Sequence, residues 1–135
     1  MVFIAEIYNP REYHNYIKVG GFDYLYDKVG LYDGIRHIME NKPGATTADI
    51  TRVWQQESGD FANHMLRFLE NHDEERLASQ AFAKNPFVAL PAMVVTATLG
   101  SGPVMIYFGQ EVGEPGRGIE GFGGDDGRTS IFDYW

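Results

Sequence analysis

Met65-Leu66-Arg67-Phe68-Leu69 runs straight into Glu70-Asn71-His72-Asp73. An apolar run broken by a single charge reads as a strand, and the polar quartet behind it reads as what that strand presents at its carboxyl end. The same pattern recurs on both sides. Residues 2–7 are rich in β-branched and aromatic side chains and stop at Tyr8-Asn9-Pro10, where proline ends a ladder and leaves Glu6 at a strand's end. Residues 22–26 end at Asp27, and residues 104–108 are apolar throughout, as expected of a strand buried on both faces.

Helical patterns fill the intervals. Residues 11–18 suit a short helix broken by Gly20-Gly21, and the next helix sets Leu31, Ile35, Ile38 and Met39 on one face before Pro43-Gly44 closes it. Thr46 with Asp49 resembles a capping box for a helix whose Ile50, Val53 and Trp54 share a face and which ends near Gly59. Asn85-Pro86 reads as an N-cap with proline in the first turn of a helix reaching Gly100, kinked or divided at Pro91. Alternating strands and helices imply repeated units around a parallel sheet. Beyond residue 108 a glycine-rich loop extends to Trp135 with no helical pattern. No internal repeat, low-complexity tract or linker divides the chain, so residues 1–135 are expected to form a single segment without a separate second domain.

Composition narrows the function classes. A net charge of −8 without clustered Lys and Arg argues against nucleic acid as a partner. Aromatics at 14% and sixteen glycines suit large contact surfaces joined by tight loops, in a core or around a neutral polyol. With no cysteine there is no disulfide framework, thiolate nucleophile or cysteine metal site. The first ten residues lack the pattern of a secretory signal, and no apolar run approaches the roughly 20 residues of a spanning helix. The chain is expected to be soluble, with no membrane span and no assignable compartment.

Three blocks taken together resemble the alpha-amylase family of retaining glycoside hydrolases: Phe3-Ile4-Ala5-Glu6, Phe68-Leu69-Glu70-Asn71-His72-Asp73, and Gly102-Pro103-Val104-Met105-Ile106-Tyr107-Phe108-Gly109-Gln110-Glu111. In that family they are similar to the ends of the fifth, seventh and eighth strands of the catalytic barrel. The resemblance covers nearly the whole chain and implies an α/β fold, a partial TIM (β/α)8 barrel of about four parallel strands with intervening helices. A complete barrel takes about 250 residues. The implied activity is hydrolysis of α-1,4-glucans such as starch and maltooligosaccharides. Glu6 is the implied acid/base, which protonates the departing glycosidic oxygen and then activates water. An apolar run ahead of such a carboxyl disfavours its charged form, as a general acid requires. Asp73 with His72 is implied to hold the hydroxyls of the sugar at the bond being cut.

Further candidates come from the same blocks. Glu70 and Asn71 complete the quartet and orient it, and Asn71 is implied to bind the substrate together with His72. Tyr8 and Phe108 sit where an aromatic ring stacks on a sugar, although core packing explains such rings equally well. Arg76 reads as one half of a surface ion pair. Residues 123–127, Gly-Gly-Asp-Asp-Gly, lack the spacing and closing glutamate of an EF-hand and read as a turn. His14, His37 and His64 lack metal-ligand spacing. No cofactor or metal is therefore expected in this chain, and the calcium common in the family would belong to a full-length parent.

One element of the family's chemistry finds no counterpart. Retaining hydrolysis needs a second carboxylate about 5–5.5 Å from the acid/base. The family takes it from an Arg-x-Asp stretch of the fourth strand, whereas here Arg128 is followed by Thr129 and Ser130. The chain is thus expected to be a fragment, inactive alone, whose uncovered strand edges draw either the missing half-barrel or a second copy of itself. A parent that transfers glucosyl units or isomerises disaccharides uses the same residues, and a non-catalytic relative would keep the fold for binding or assembly.

Overall fold

The computed structural model describes residues 1–116, so the glycine-rich loop beyond residue 116, including residues 123–127 and the Arg128-Thr129-Ser130 stretch, lies outside the described residues. The chain divides into two compact units, Met1–Arg67 with Val95–Met105, and Phe68–Val94 with the chain from Ile106 onward.

The first unit holds a sheet of three short strands, β1 (Ile4–Ala5), β2 (Tyr24–Tyr26) and β3 (Met65–Leu66), in the order β1-β2-β3. Both pairings are parallel, with Ile4 opposite Tyr24 and Leu25 opposite Met65. Ala5, Leu25 and Met65 turn to one interior, where Tyr13 and Ile17 of the first connection close over them. That connection is a tight turn at Pro10–Glu12, capped by Asn9, and a wide turn at Asn15–Val19 in place of the single helix expected over residues 11–18. Burial pushes the Tyr13 phenol far above its ordinary ionisation range, and the nearby Asp27 carboxylate adds to this.

Between β2 and β3 lie α1 (Asp33–Met39) and α2 (Ala48–Arg52). One half of the expected capping box forms: Thr46 N–H donates to Asp49 Oδ2 at 3.0 Å, while Thr46 Oγ1 accepts from Ala48 N–H at 3.4 Å and the Asp49 N–H goes to the Thr46 carbonyl. Leu31, Ile35 and Val53 are buried, whereas Trp54 is exposed and lies off the packed face.

The partial barrel of about four parallel strands is not what forms. The architecture is a small mixed α/β one with three short parallel strands among the described residues. Residues 104–108 supply one parallel bridge, Val104 to Arg67, instead of a fourth strand. The physical reason lies in where the backbone bonds go. Arg67 N–H donates to Pro103 O at 3.0 Å and Met105 N–H to Arg67 O at 2.8 Å, and there the pairing stops. Tyr107 N–H turns to Gln110 Oε1 at 3.1 Å, and Gln110 N–H returns to Tyr107 O at 2.9 Å. A local turn has taken the groups a ladder needs. Ile106 and Phe108 are accordingly exposed, not buried on both faces. Strand extents shrink in the same way: residues 2–3 and 68–69 flank β1 and β3 without joining them.

In the second unit Phe68, Leu69, Leu77, Ala78, Phe82 and Ala89 are buried. Asn85 Oδ1 accepts from Phe87 N–H at 2.9 Å and caps a tight turn at Pro86–Ala89. Helix α3 (Leu90–Thr98) follows, beginning one residue before Pro91, whose missing N–H costs nothing in a first turn. The expected division of this segment therefore falls at Leu90. No helix among the described residues is long and apolar enough to cross a membrane.

Candidate functional site

In the first unit Glu6 follows β1 directly and is exposed, so the shielding expected from the run ahead of it is not there. The Tyr8 hydroxyl donates to Glu6 Oε1. Tyr8 is itself exposed, its ring standing on the surface beside the carboxylate and outside the core. The pair offers an acid and a flat apolar face two residues apart, a combination suited to a polar ligand with a ring. A cleft of about 380 Å³ in the same unit is lined by Lys18, Asp23, Tyr24 and His64, at the residues that lead into β2 and β3. Glu6 takes no part in it.

In the second unit the quartet behind β3 separates into two inward and two outward residues. Glu70 and Asn71 are each 1% exposed. Glu70 Oε2 accepts from Arg76 Nη1 at 2.9 Å and Glu70 Oε1 from Leu77 N–H at 2.7 Å. Asn71 Oδ1 accepts from Asp73 N–H and from Glu74 N–H, both at 2.9 Å. This is the turn chemistry that asparagine supplies, a side chain standing in for a backbone carbonyl. His72 and Asp73 are left pointing outward with side chains 46% and 43% exposed, His72 Nε2 lying 3.5 Å from Asp73 Oδ2. The Asn71 side chain, expected on the substrate, instead spends its oxygen on the loop's own backbone, while its buried Nδ2 has no hydrogen-bond partner among the described residues.

Burial raises the Glu70 carboxyl above the ordinary 4.5; Arg76 and the Leu77 N–H pull it back, and the neighbouring Glu114 adds to the rise. Arg76 is fully buried. It also donates from Nη1 to Phe108 O at 2.8 Å, and its guanidinium lies 4.4 Å from the Tyr107 ring centre and 5.6 Å from that of Phe108. The surface ion pair expected of Arg76 is therefore replaced by a buried one. The signal for it was a glutamate closing an apolar run, since a carboxylate taken out of water requires a cation nearby. Phe108 keeps an exposed ring above this anchored carbonyl and stands at an edge-on angle to Tyr107.

An open cavity of about 490 Å³ in the second unit is lined mainly by Phe87, Leu90, Met93, Ile106 and Val112, with Glu70 at its inner wall. It is apolar and includes neither His72 nor Asp73, so it does not coincide with the polar loop. No protein-family model matches this chain, and no curated protein or solved structure shows significant similarity to it.

Proposed function

We propose that this chain takes part in retaining hydrolysis of α-1,4-glucans, with Glu6 as acid/base and Asp73 and His72 holding the sugar hydroxyls. The observation that carries the reading is the loop behind β3, where buried Glu70 and Asn71 leave His72 and Asp73 turned outward. Such a loop displays a carboxylate and an imidazole side by side on a tied backbone, which is what recognition of neighbouring hydroxyls demands. Exposed rings at Tyr8 and Phe108 support the same reading, since sugars bind through polar edges and apolar faces together.

The nucleophile of this chemistry has no counterpart by resemblance among the 135 residues. The chain alone is therefore expected to bind glucans without cleaving them. Calorimetric titration with maltoheptaose tests the reading: saturable binding weakened by Asp73→Asn supports it, and no binding at millimolar sugar overturns it. Reducing-sugar release that Glu6→Gln abolishes would instead show the catalytic set to be complete. Self-association is the second partner expected, because Met1, Val2, Phe3 and Ile4 are exposed around β1, which ends the sheet. Light scattering at micromolar protein should detect dimers that Ile4→Lys disperses; a compact wild-type monomer contradicts this.

A further inference from the structure

We propose that Arg76 and Glu70 are positioning residues, which set the His72–Asp73 loop and the Tyr107-Phe108 aromatics as one sugar-binding surface. The proposal rests on the glucan reading above. Glu70 is bonded through its two oxygens to Arg76 and to Leu77 N–H, which closes the base of the loop formed by residues 71–75. Within that base, Asn71 fixes the N–H groups of Asp73 and Glu74. The Arg76 nitrogen that holds Glu70 also holds the Phe108 carbonyl at 2.8 Å. One side chain without exposed surface thus ties two segments 32 residues apart in sequence.

Packing alone does not account for this arrangement. An apolar pair of the same volume would fill the space and is often as stable as a buried ion pair. It would leave the Leu77 N–H and the Phe108 carbonyl without these partners, and the loop and the aromatics would be free to shift separately. The guanidinium meets both demands: its Nη1 donates to Glu70 and to the Phe108 carbonyl while its Cζ lies over the Tyr107 ring. Neither residue is expected to touch sugar, since both are buried beneath the outward side chains.

The test uses the full chain with Arg76→Gln, Arg76→Lys and Glu70→Gln, and maltoheptaose as probe. Affinity is measured well below each variant's Tm, alongside amide hydrogen exchange. Arg76→Gln should weaken binding about tenfold or more, because a small displacement of positioning groups is amplified at the ligand. It should also speed exchange at Asp73 and Glu74 about tenfold, while Asp27 and Met105 amides of the first unit keep their protection. Arg76→Lys, which keeps the charge but not the planar fork, should fall between. If Arg76→Gln does not fold, Glu70→Gln, which retains an acceptor for Leu77 N–H, is read by the same two measurements and should move both. A lowered Tm with affinity and loop exchange within about twofold of wild type overturns the proposal. Failure of the wild-type chain to bind maltoheptaose overturns the glucan reading instead, and loop exchange then decides the positioning role by itself.

Discussion

Two buried arginine–carboxylate pairs, one in each unit, show how the same chemistry serves different ends. In the first unit Arg67 Nε lies 3.5 Å from Asp27 Oδ2, and neither atom has a hydrogen-bond partner among the described residues. Arg67 Nη2 donates to Ala62 O at 3.2 Å and Asp27 Oδ1 accepts from Leu31 N–H at 2.9 Å, so each side chain braces its own segment. In the second unit Arg76 and Glu70 are hydrogen-bonded to each other at 2.9 Å and, through the same groups, to Leu77 N–H and Phe108 O. The first pair is loosely joined and supports turns around the sheet. The second is joined by its own hydrogen bond and supports the segments that carry the candidate sugar contacts. A buried charge pair is weak evidence for stability in either case. Each pair serves two backbone groups; what differs is that the second pair is itself joined by a hydrogen bond of 2.9 Å, whereas the first is an ion pair at 3.5 Å.

Breaking the second pair should have the largest effect. Arg76→Ala would strand the Glu70 carboxylate near Glu114, a loss of about 3–5 kcal/mol in urea unfolding. A loss under about 1 kcal/mol would mean that the pair is no more committed than the first. Next comes Gly100, where an added Cβ would stand 2.7 Å from Arg67 Nη1. Gly100→Ala should cost about 1–3 kcal/mol by displacing a buried guanidinium, and an unchanged unfolding midpoint would show that Arg67 is free to move.

Smaller still is the effect of removing both charges from the loose pair. Asp27→Asn with Arg67→Met keeps an acceptor for Leu31 N–H and should change stability by no more than about 1 kcal/mol in either direction. The matching Glu70→Gln with Arg76→Met should cost more, because it also breaks the 2.9 Å hydrogen bond within the pair, and the 2.8 Å bond to Phe108 O that it removes is shorter than the 3.2 Å bond to Ala62 O lost with Arg67. Equal costs would erase the distinction between the pairs.

The smallest effect is a pH dependence. Burial raises the Asp27 carboxyl above its ordinary 3.8, the Leu31 N–H and Arg67 opposing it. The folded chain therefore holds this proton more tightly than the unfolded chain, and the associated stability is present below 3.8 and lost as pH rises through the folded value. Asp27→Asn should consequently gain on wild type as pH rises above 3.8. Glu40 works in the opposite sense: burial raises it, Arg36 and Lys42 outweigh this, and its net lowering makes its contribution fade below 4.5. A variant-minus-wild-type difference that is flat with pH would show that Asp27 titrates normally.

Much of the local structure was legible in the sequence. The cores of three strands fall inside the apolar runs, the Thr46–Asp49 half of the box and the Asn85 cap form, and proline and glycine mark real boundaries. Strand length was not legible, because hydrophobic pattern records burial and not ladder pairing: Phe68 and Leu69 are buried yet belong to no strand. The fourth strand failed for a related reason, since no periodicity reveals that the Gln110 side chain will take the Tyr107 N–H. At the candidate site the outward His72 and Asp73 could be named from the block that holds them. The roles of Asn71 and Arg76 could not, because burial of a polar side chain depends on contacts far along the chain, here with Phe108.

The central claim, that the loop behind β3 is a sugar-binding loop held from below, is tested most directly by NMR. Labelled chain is titrated with maltoheptaose and followed at the amides of His72, Asp73 and Phe108. The account predicts saturable shifts at all three, lost together in Arg76→Gln while the sheet amides of the first unit stay in place. Shifts absent up to about 10 mM sugar, a Kd too weak to signify recognition, or shifts that persist unchanged in Arg76→Gln, would contradict it.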